Sequence, residues 1–183
     1  MEKRKLLLNA RDVEHTIKRL AYEIMEKNDD PAVLCIAGVA GQSRQTAEML
    51  HEAVCCVAGT KLPFCEVYLE SGRISGIDDL HDKIVVLATD VLFSGDTIRR
   101  AMETVCAAGR PRSVQLAALI DRGLRRFPIR ANFVGKNIPT SMSEFIEVCI
   151  EPGTLQAGVY ICDRPQDSDC IQTECTKKFC TIQ

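Results

Sequence analysis

The densest potential chemistry lies between residues 85 and 97, where Val85-Val86-Leu87-Ala88 runs into Thr89-Asp90-Val91-Leu92-Phe93-Ser94-Gly95-Asp96-Thr97. An apolar strand, an acid, then a Ser-Gly-x-Thr turn opening a helix has the make-up of a monophosphate cradle. Gly95 lets the backbone approach an anion, successive N–H groups point at it, and the helix dipole favours negative charge. The hydroxyls of Ser94 and Thr97 add donors. The same residues also read as an ordinary capped helix start, because Ser and Thr are favoured there for structural reasons alone.

Two further groups carry potential chemistry. From 121 to 140, Arg122, Arg125, Arg126, Arg130 and Lys136 stand against Asp121 alone, the kind of local positive surplus that phosphate contacts need. Arg11, Lys18 and Arg19 can extend that surface from the first predicted helix, and Tyr22 beside them can stack on an exposed base. A merely solvated basic face is the alternative. Cys162, Cys170, Cys175 and Cys180 follow one another at spacings of eight, five and five, unlike the short C-x2-C knuckles of zinc sites, so no metal site is assigned. The remaining cysteines, Cys35, Cys55, Cys56, Cys65, Cys106 and Cys149, sit among apolar residues and are expected in the core.

The elements that must position these groups read as a βα series. Val13, Ile17, Leu20, Ala21 and Ile24 predict an amphipathic helix over 9–28, capped by Asn9 or Asp12 and ended by Asn28-Asp29-Asp30-Pro31. A strand over 32–37 stops at Gly38, and a helix over 43–57 follows with Ala47, Leu50 and Val54 inward. A strand is predicted over 63–69, then a turn over 71–76. Another strand is predicted over 84–88, a helix over 97–108 with Gly109 as its C-cap, and a strand over 113–120. Continuous apolar strands alternating with helices predict an α/β fold whose parallel sheet is covered on both faces, with ligands at the strand carboxyl ends.

Composition bounds the rest. A length of 183 residues suits one ordinary domain, expected over 1–162, with a polar cysteine-containing tail over 163–183. Hydrophobic residues at 46% and charged residues at 26% exclude disorder or a fibrous repeat for the bulk of the chain, while a net charge of −2 gives no global pull toward nucleic acid or anionic membrane. Leu6-Leu7-Leu8 is too short for a signal-peptide core and no run reaches membrane-spanning length, so a cytoplasmic location with free thiols and no membrane partner is expected.

The segment from 85 to 97 resembles the phosphoribosyl pyrophosphate (PRPP) motif of type I phosphoribosyltransferases: a hydrophobic strand, two acids and a T/S-G-x-T loop. The likeness continues through Gly109-Arg110-Pro111, Gln115-Leu116-Ala117, Asp121-Arg122-Gly123, Pro128-Ile129-Arg130-Ala131 and Gly135-Lys136-Asn137-Ile138-Pro139-Thr140-Ser141. This combination resembles the PyrR family of pyrimidine attenuation regulators and uracil phosphoribosyltransferases, densely over 83–147, in register over the first helix, and not in the tail. The resemblance implies a twisted, mainly parallel sheet with a small hood, a homodimer or tetramer, and ligands that are UMP, uracil or PRPP with Mg2+. It also implies a leader RNA as partner. By position, Asp90 is implied to grip ribose hydroxyls and support cationic character at the anomeric carbon, residues Thr89 to Thr97 to hold the nucleotide, and Ser94 to Thr97 its 5′-phosphate. Gly41, Gln42 and Arg44 fall on the pyrophosphate loop, Asp121 and Arg122 near the base, and Lys18, Arg19, Arg125, Arg130, Lys136 and Thr140 on the RNA side.

Three departures from the family pattern point one way. Thr89 replaces one of two adjacent acids, Ala40 and Gln42 occupy places given to cations, and the stretch from 69 to 84 is too short for a long closing loop. A single lost preorganised group of this kind costs about 100- to 1000-fold in rate. Asp96, where the closest family members carry Arg, suits a helix first turn and is not counted as a lesion. The expected function is therefore a PyrR-like regulator with weakened uracil phosphoribosyltransferase activity, the alternative being a non-catalytic nucleotide sensor or RNA-binding protein on the same scaffold.

Overall fold

The computed structural model describes residues 4–41, 43–150 and 157–163. Helix α1 (Ala10–Lys27) starts at a reciprocal cap: Asn9 Oδ1 accepts from the Asp12 N–H, and Asp12 Oδ2 accepts from the Asn9 N–H. Its apolar stripe, Val13, Ile17, Leu20, Ala21 and Ile24, is buried as the spacing predicts. The helix ends where Asn28 turns its side-chain amide back on the Ile24 carbonyl and pairs it reciprocally with Gln115. A short 3-10 turn at Pro31–Val33 then feeds the sheet.

Five parallel strands, β2 (Leu34–Val39), β3 (Phe64–Tyr68), β5 (Ile84–Leu92), β6 (Ser113–Asp121) and β7 (Phe133–Asn137), are joined at one edge by the antiparallel β4 (Arg73–Ser75), in the order β4-β3-β2-β5-β6-β7. Alternate residues serve two cores. Leu34, Ile36, Val86 and Ala88 pack with α1 and α2 (Arg44–Ala58), whereas Cys35, Ala37, Val85 and Leu87 pack with α3 (Asp96–Ala108) on the other face. This two-sided burial is why β2 and β5 read as unbroken apolar runs.

A second, three-stranded antiparallel sheet in the order β1-β9-β8 is built from β1 (Arg4–Leu8), β9 (Ala157–Asp163) and β8 (Glu144–Ile150). Leu8, Ile146 and Val159 seat it against the α1 face of the core. It forms the small hood. No helix among the described residues is long and apolar enough to cross a membrane.

Several expectations change in detail. The central strand does not stop at Ala88 but runs to Leu92, because Val91 and Leu92 still pair with Ile120 and Asp121. Residues 71–76 are not only a turn: Gly72, at φ +63, reverses the chain so that Arg73–Ser75 pairs back on β3. Gly109 follows α3 in extended rather than left-handed backbone; a Cβ there would lie 2.8 Å from that of Leu80, so close packing is its reason. Cys56 and Cys106 are exposed, since they fall off the buried stripes of Val54 on α2 and Val105 on α3. Cys162, grouped by spacing with the tail cysteines, is buried in β9 opposite Phe145. Asp163, expected to open the tail, instead ends β9 opposite Glu144, and Cys170, Cys175, Cys180 and the rest of the tail over 164–183 lie outside the described residues.

Candidate functional site

The carboxyl ends of β2 and β5 bring together three polar side chains that an apolar sheet does not need. Asp90 stands on β5, and three donors converge on its Oδ1: the Val91 N–H at 2.7 Å, Ser43 Oγ at 2.9 Å and Thr89 Oγ1 at 3.4 Å. Ser43 and Thr89 are buried and lie 3.3 Å apart through their hydroxyls. Burial pushes the Asp90 carboxyl above its ordinary value, while these hydrogen bonds oppose the rise. The result is a fixed, desolvated carboxylate at a strand end. Ser43 was read from the sequence only as the start of α2; a hydroxyl before a helix looks like a cap whatever it does.

The loop that follows has the shape of a cradle. Thr89, Asp90, Val91 and Leu92 belong to the strand, so Phe93, Ser94 and Gly95 make the turn and α3 begins at Asp96. Gly95 is the N-cap at φ +86, a backbone region that favours glycine, and it carries no side-chain cap. Ser94 caps nothing from the usual position; its Oγ accepts from the Asp96 N–H, and its carbonyl accepts from the Arg126 and Phe127 N–H groups. Thr97 lies half-buried in the first turn. Arg99 bridges Asp96 and Glu103 and lies over the Phe127 ring at 5.1 Å.

On the β2 side, Gly41 adopts φ +92 in the loop, and the Ala40 N–H is tied to the Val67 carbonyl. Arg44, expected toward pyrophosphate, instead contacts Glu48 at 2.8 Å and Glu66 at 3.1 Å. These carboxylates raise the pKa of its guanidinium. The local reason is simple: Glu48 is one helical turn on, and Glu66 stands on the neighbouring strand. Gln42 lies outside the described residues.

The basic stretch separates into two kinds of residue. Arg125 is built into the fold, donating to the carbonyls of Leu92, Phe93, Gly123 and Ile129 and pairing with Asp121 at 2.6 Å. Arg122 is buried, lies over the Phe93 ring at 4.3 Å, and donates to Thr140 Oγ1 and the Ser141 and Glu144 carbonyls. Arg19, on α1, donates to the Val134 and Gly135 carbonyls and pairs with Glu23. Lys18, Arg126, Arg130 and Lys136 are exposed. Between the 121–130 loop and residues 137–140 opens a cavity of about 710 Å³, lined by Arg122, Leu124, Ile129, Arg130, Pro139 and Thr140 among others. Leu124 at its rim is exposed and holds φ +52.

The phosphoribosyl transferase domain family matches residues 4–155. Bifunctional protein PyrR of Caldicellulosiruptor bescii is 37% identical over 165 residues, covering 82% of this chain and 91% of that protein. The chain belongs to the PyrR family of phosphoribosyltransferase-domain proteins. A second PyrR, from Oceanobacillus iheyensis, is 34% identical over 164 residues, or 81% of this chain and 91% of its own. Among solved structures, hypoxanthine phosphoribosyltransferase of Trypanosoma cruzi in complex with the product IMP superposes with a TM-score of 0.65 at 20% identity, covering 88% of this chain and 90% of the other. That likeness shows the shared fold, a mostly parallel sheet with flanking helices.

Magnesium, which membership of this family implies with PRPP, meets a spare donor set. No cluster of three or more His, Cys, Asp or Glu able to hold a metal occurs among the described residues. Asp90 with a ligand's own phosphate and hydroxyl oxygens nevertheless suits this ion, which binds through one or two carboxylates plus substrate phosphates.

Proposed function

We propose that this protein is a PyrR-type regulator of pyrimidine genes that binds UMP, uracil or PRPP at the Asp90 cluster and the Ser94–Thr97 cradle. The observation that carries the reading is the placement of a fixed, half-buried carboxylate near the end of β5, the strand that leads into a glycine-turned helix start. Asp90 would bind ribose hydroxyls, and the cradle would hold the 5′-phosphate. Asp121 and Arg122 would border the base. Mg2+ would neutralise the diphosphate of PRPP when bound.

Uracil phosphoribosyltransferase activity is weakened on this reading. Thr89 supplies a buried hydroxyl where the family pattern has an acid, and Arg44 is held by Glu48 and Glu66 rather than free for pyrophosphate. The RNA side falls to the exposed cations Lys18, Arg130 and Lys136, with Arg19 exposed beside them though bonded to the Gly135 carbonyl, while Arg125 and Thr140 shape the surface through their structural bonds. A cytoplasmic homodimer or tetramer completes the proposal.

The test is UMP formation from uracil and PRPP with Mg2+, run beside direct UMP binding. The expected result is clear UMP binding with turnover about 100- to 1000-fold below a fully active PyrR. Turnover equal to such an enzyme would overturn the weakening. Binding without any turnover would favour the nucleotide sensor, and absence of binding would remove the nucleotide-site reading.

A further inference from the structure

Three consecutive carbonyls of the turn after β5 are taken up by the loop after β6. The Leu92 carbonyl accepts from the Arg122 N–H at 3.0 Å, and the Ser94 carbonyl accepts from the Arg126 and Phe127 N–H groups at 3.0 and 3.2 Å. The Phe93 carbonyl between them accepts from the Arg125 guanidinium at 2.9 Å, and the same nitrogen reaches the Leu92 carbonyl at 3.2 Å. In a planar trans peptide the C=O of one residue and the N–H of the next point to opposite sides. Turning the Leu92, Phe93 and Ser94 carbonyls toward the 122–127 loop therefore turns the N–H groups of Phe93, Ser94 and Gly95 away from it. They stand side by side ahead of α3, the arrangement that receives an anion.

We infer that Arg125 is a positioning residue of the phosphate cradle: from behind the turn it fixes the Phe93 carbonyl, and through that peptide the Ser94 N–H, for a ligand's 5′-phosphate. The inference rests on the nucleotide-site reading above and deepens it. It moves Arg125 from the RNA side, where family resemblance places it, to the nucleotide side.

The place calls for a guanidinium. Two nitrogens of Arg125 are anchored within its own loop: Nε donates to the Ile129 carbonyl at 2.8 Å, and a terminal nitrogen pairs with Asp121 at 2.6 Å, from a side chain 20% exposed. With the fork locked in that way, the other terminal nitrogen meets the Leu92, Phe93 and Gly123 carbonyls. A lysine presents one ammonium on a flexible stem and cannot hold both ends. Packing braces the turn from the same side: Ile129 would stand 3.5 Å from a Cβ on Gly95, and the Phe93 ring lies 4.3 Å from the Arg122 guanidinium. The leucine and serine carbonyls have backbone donors as well, so the Phe93 peptide is where Arg125 contributes most.

The test uses Arg125→Lys and Arg125→Gln in the full chain, with thermal midpoints showing that each variant is folded at the assay temperature. UMP affinity is expected to fall about tenfold in both, the worth of one charge-assisted hydrogen bond to phosphate, while uridine, which lacks the phosphate, keeps its wild-type affinity. Backbone amide order parameters of Ser94 and Gly95, measured by NMR without ligand, should fall in both variants while those of β5 stay unchanged. Wild-type UMP affinity in a folded Arg125→Lys protein, equal losses for UMP and uridine, or unchanged order parameters at Ser94 and Gly95 overturn the inference. Wild-type UMP affinity with a reduced salt slope of RNA binding would return Arg125 to the RNA side. A wild type that binds no UMP overturns the nucleotide-site reading instead, and the order parameters still decide whether Arg125 holds the turn.

Discussion

The Asp90 cluster and the basic stretch from 121 to 140 are both polar, both at strand carboxyl ends, and organised oppositely. In the first, donors converge on one acid and aim it, so the polar groups serve a single carboxylate. In the second, Arg122 and Arg125 spend their guanidinium groups on backbone carbonyls and on Asp121, while Arg126, Arg130 and Lys136 remain at the surface. Chemical type does not distinguish a structural arginine from one available to a partner; the acceptors around it do.

The sharpest way to break this comparison is Arg125→Ala. It leaves a half-buried Asp121 carboxylate and several carbonyls without their donor, so a loss of about 3 kcal/mol is expected, measured as a fall of roughly 10 °C in the thermal midpoint. A loss below about 0.5 kcal/mol would return Arg125 to the surface class. Next comes Thr89→Asp, which puts a second carboxylate into the buried hydroxyl site beside Asp90. A cost of about 2 kcal/mol at pH 8 is expected from chemical denaturation, shrinking toward pH 5 as the pair takes up a proton.

Asp90→Asn tests the cost of aiming a half-buried charge. Burial raises the Asp90 carboxyl above its ordinary 3.8, so wild type loses stability as pH climbs from that value through the raised one. Asn avoids the loss while still accepting at Oδ1. The variant should therefore be more stable than wild type above the raised midpoint and show no gain below about pH 3.8, with UMP binding weakened throughout. The smallest stability effect belongs to Arg130→Ala with Lys136→Ala: within about 0.5 kcal/mol of wild type, yet with a salt dependence of RNA binding reduced by about one ion per residue. A salt slope equal to wild type would place the RNA face elsewhere.

Much of the scaffold was legible in the sequence because burial on both faces writes itself as unbroken apolar runs at β2, β5 and β6, and because α1 has a full amphipathic stripe with its cap. The cradle was legible because Gly95 and its flanking hydroxyls have a fixed spacing. What escaped depends on contacts remote in sequence. The extension of β5 through Asp90 follows from pairing with β6, and the β4 hairpin from pairing with β3. Ser43 was hidden by the ambiguity of a helix-start serine, and the division among the arginines by carbonyl acceptors that carry no side-chain signature. Phe145 to Ile150 alternates loosely and could have signalled β8, whereas the partner strands β1 and β9 lie at opposite ends of the described chain.

That separation fixes an order of assembly. The central sheet is complete once residue 137 has been made, but β1, present from the outset, has no partner until β9 emerges at residues 157–163. A chain growing on the ribosome thus carries the Asp90 cluster and the Ser94–Gly95 turn on a finished sheet before β1 gains its partner, and among the described residues the hood is the last piece that synthesis allows to close.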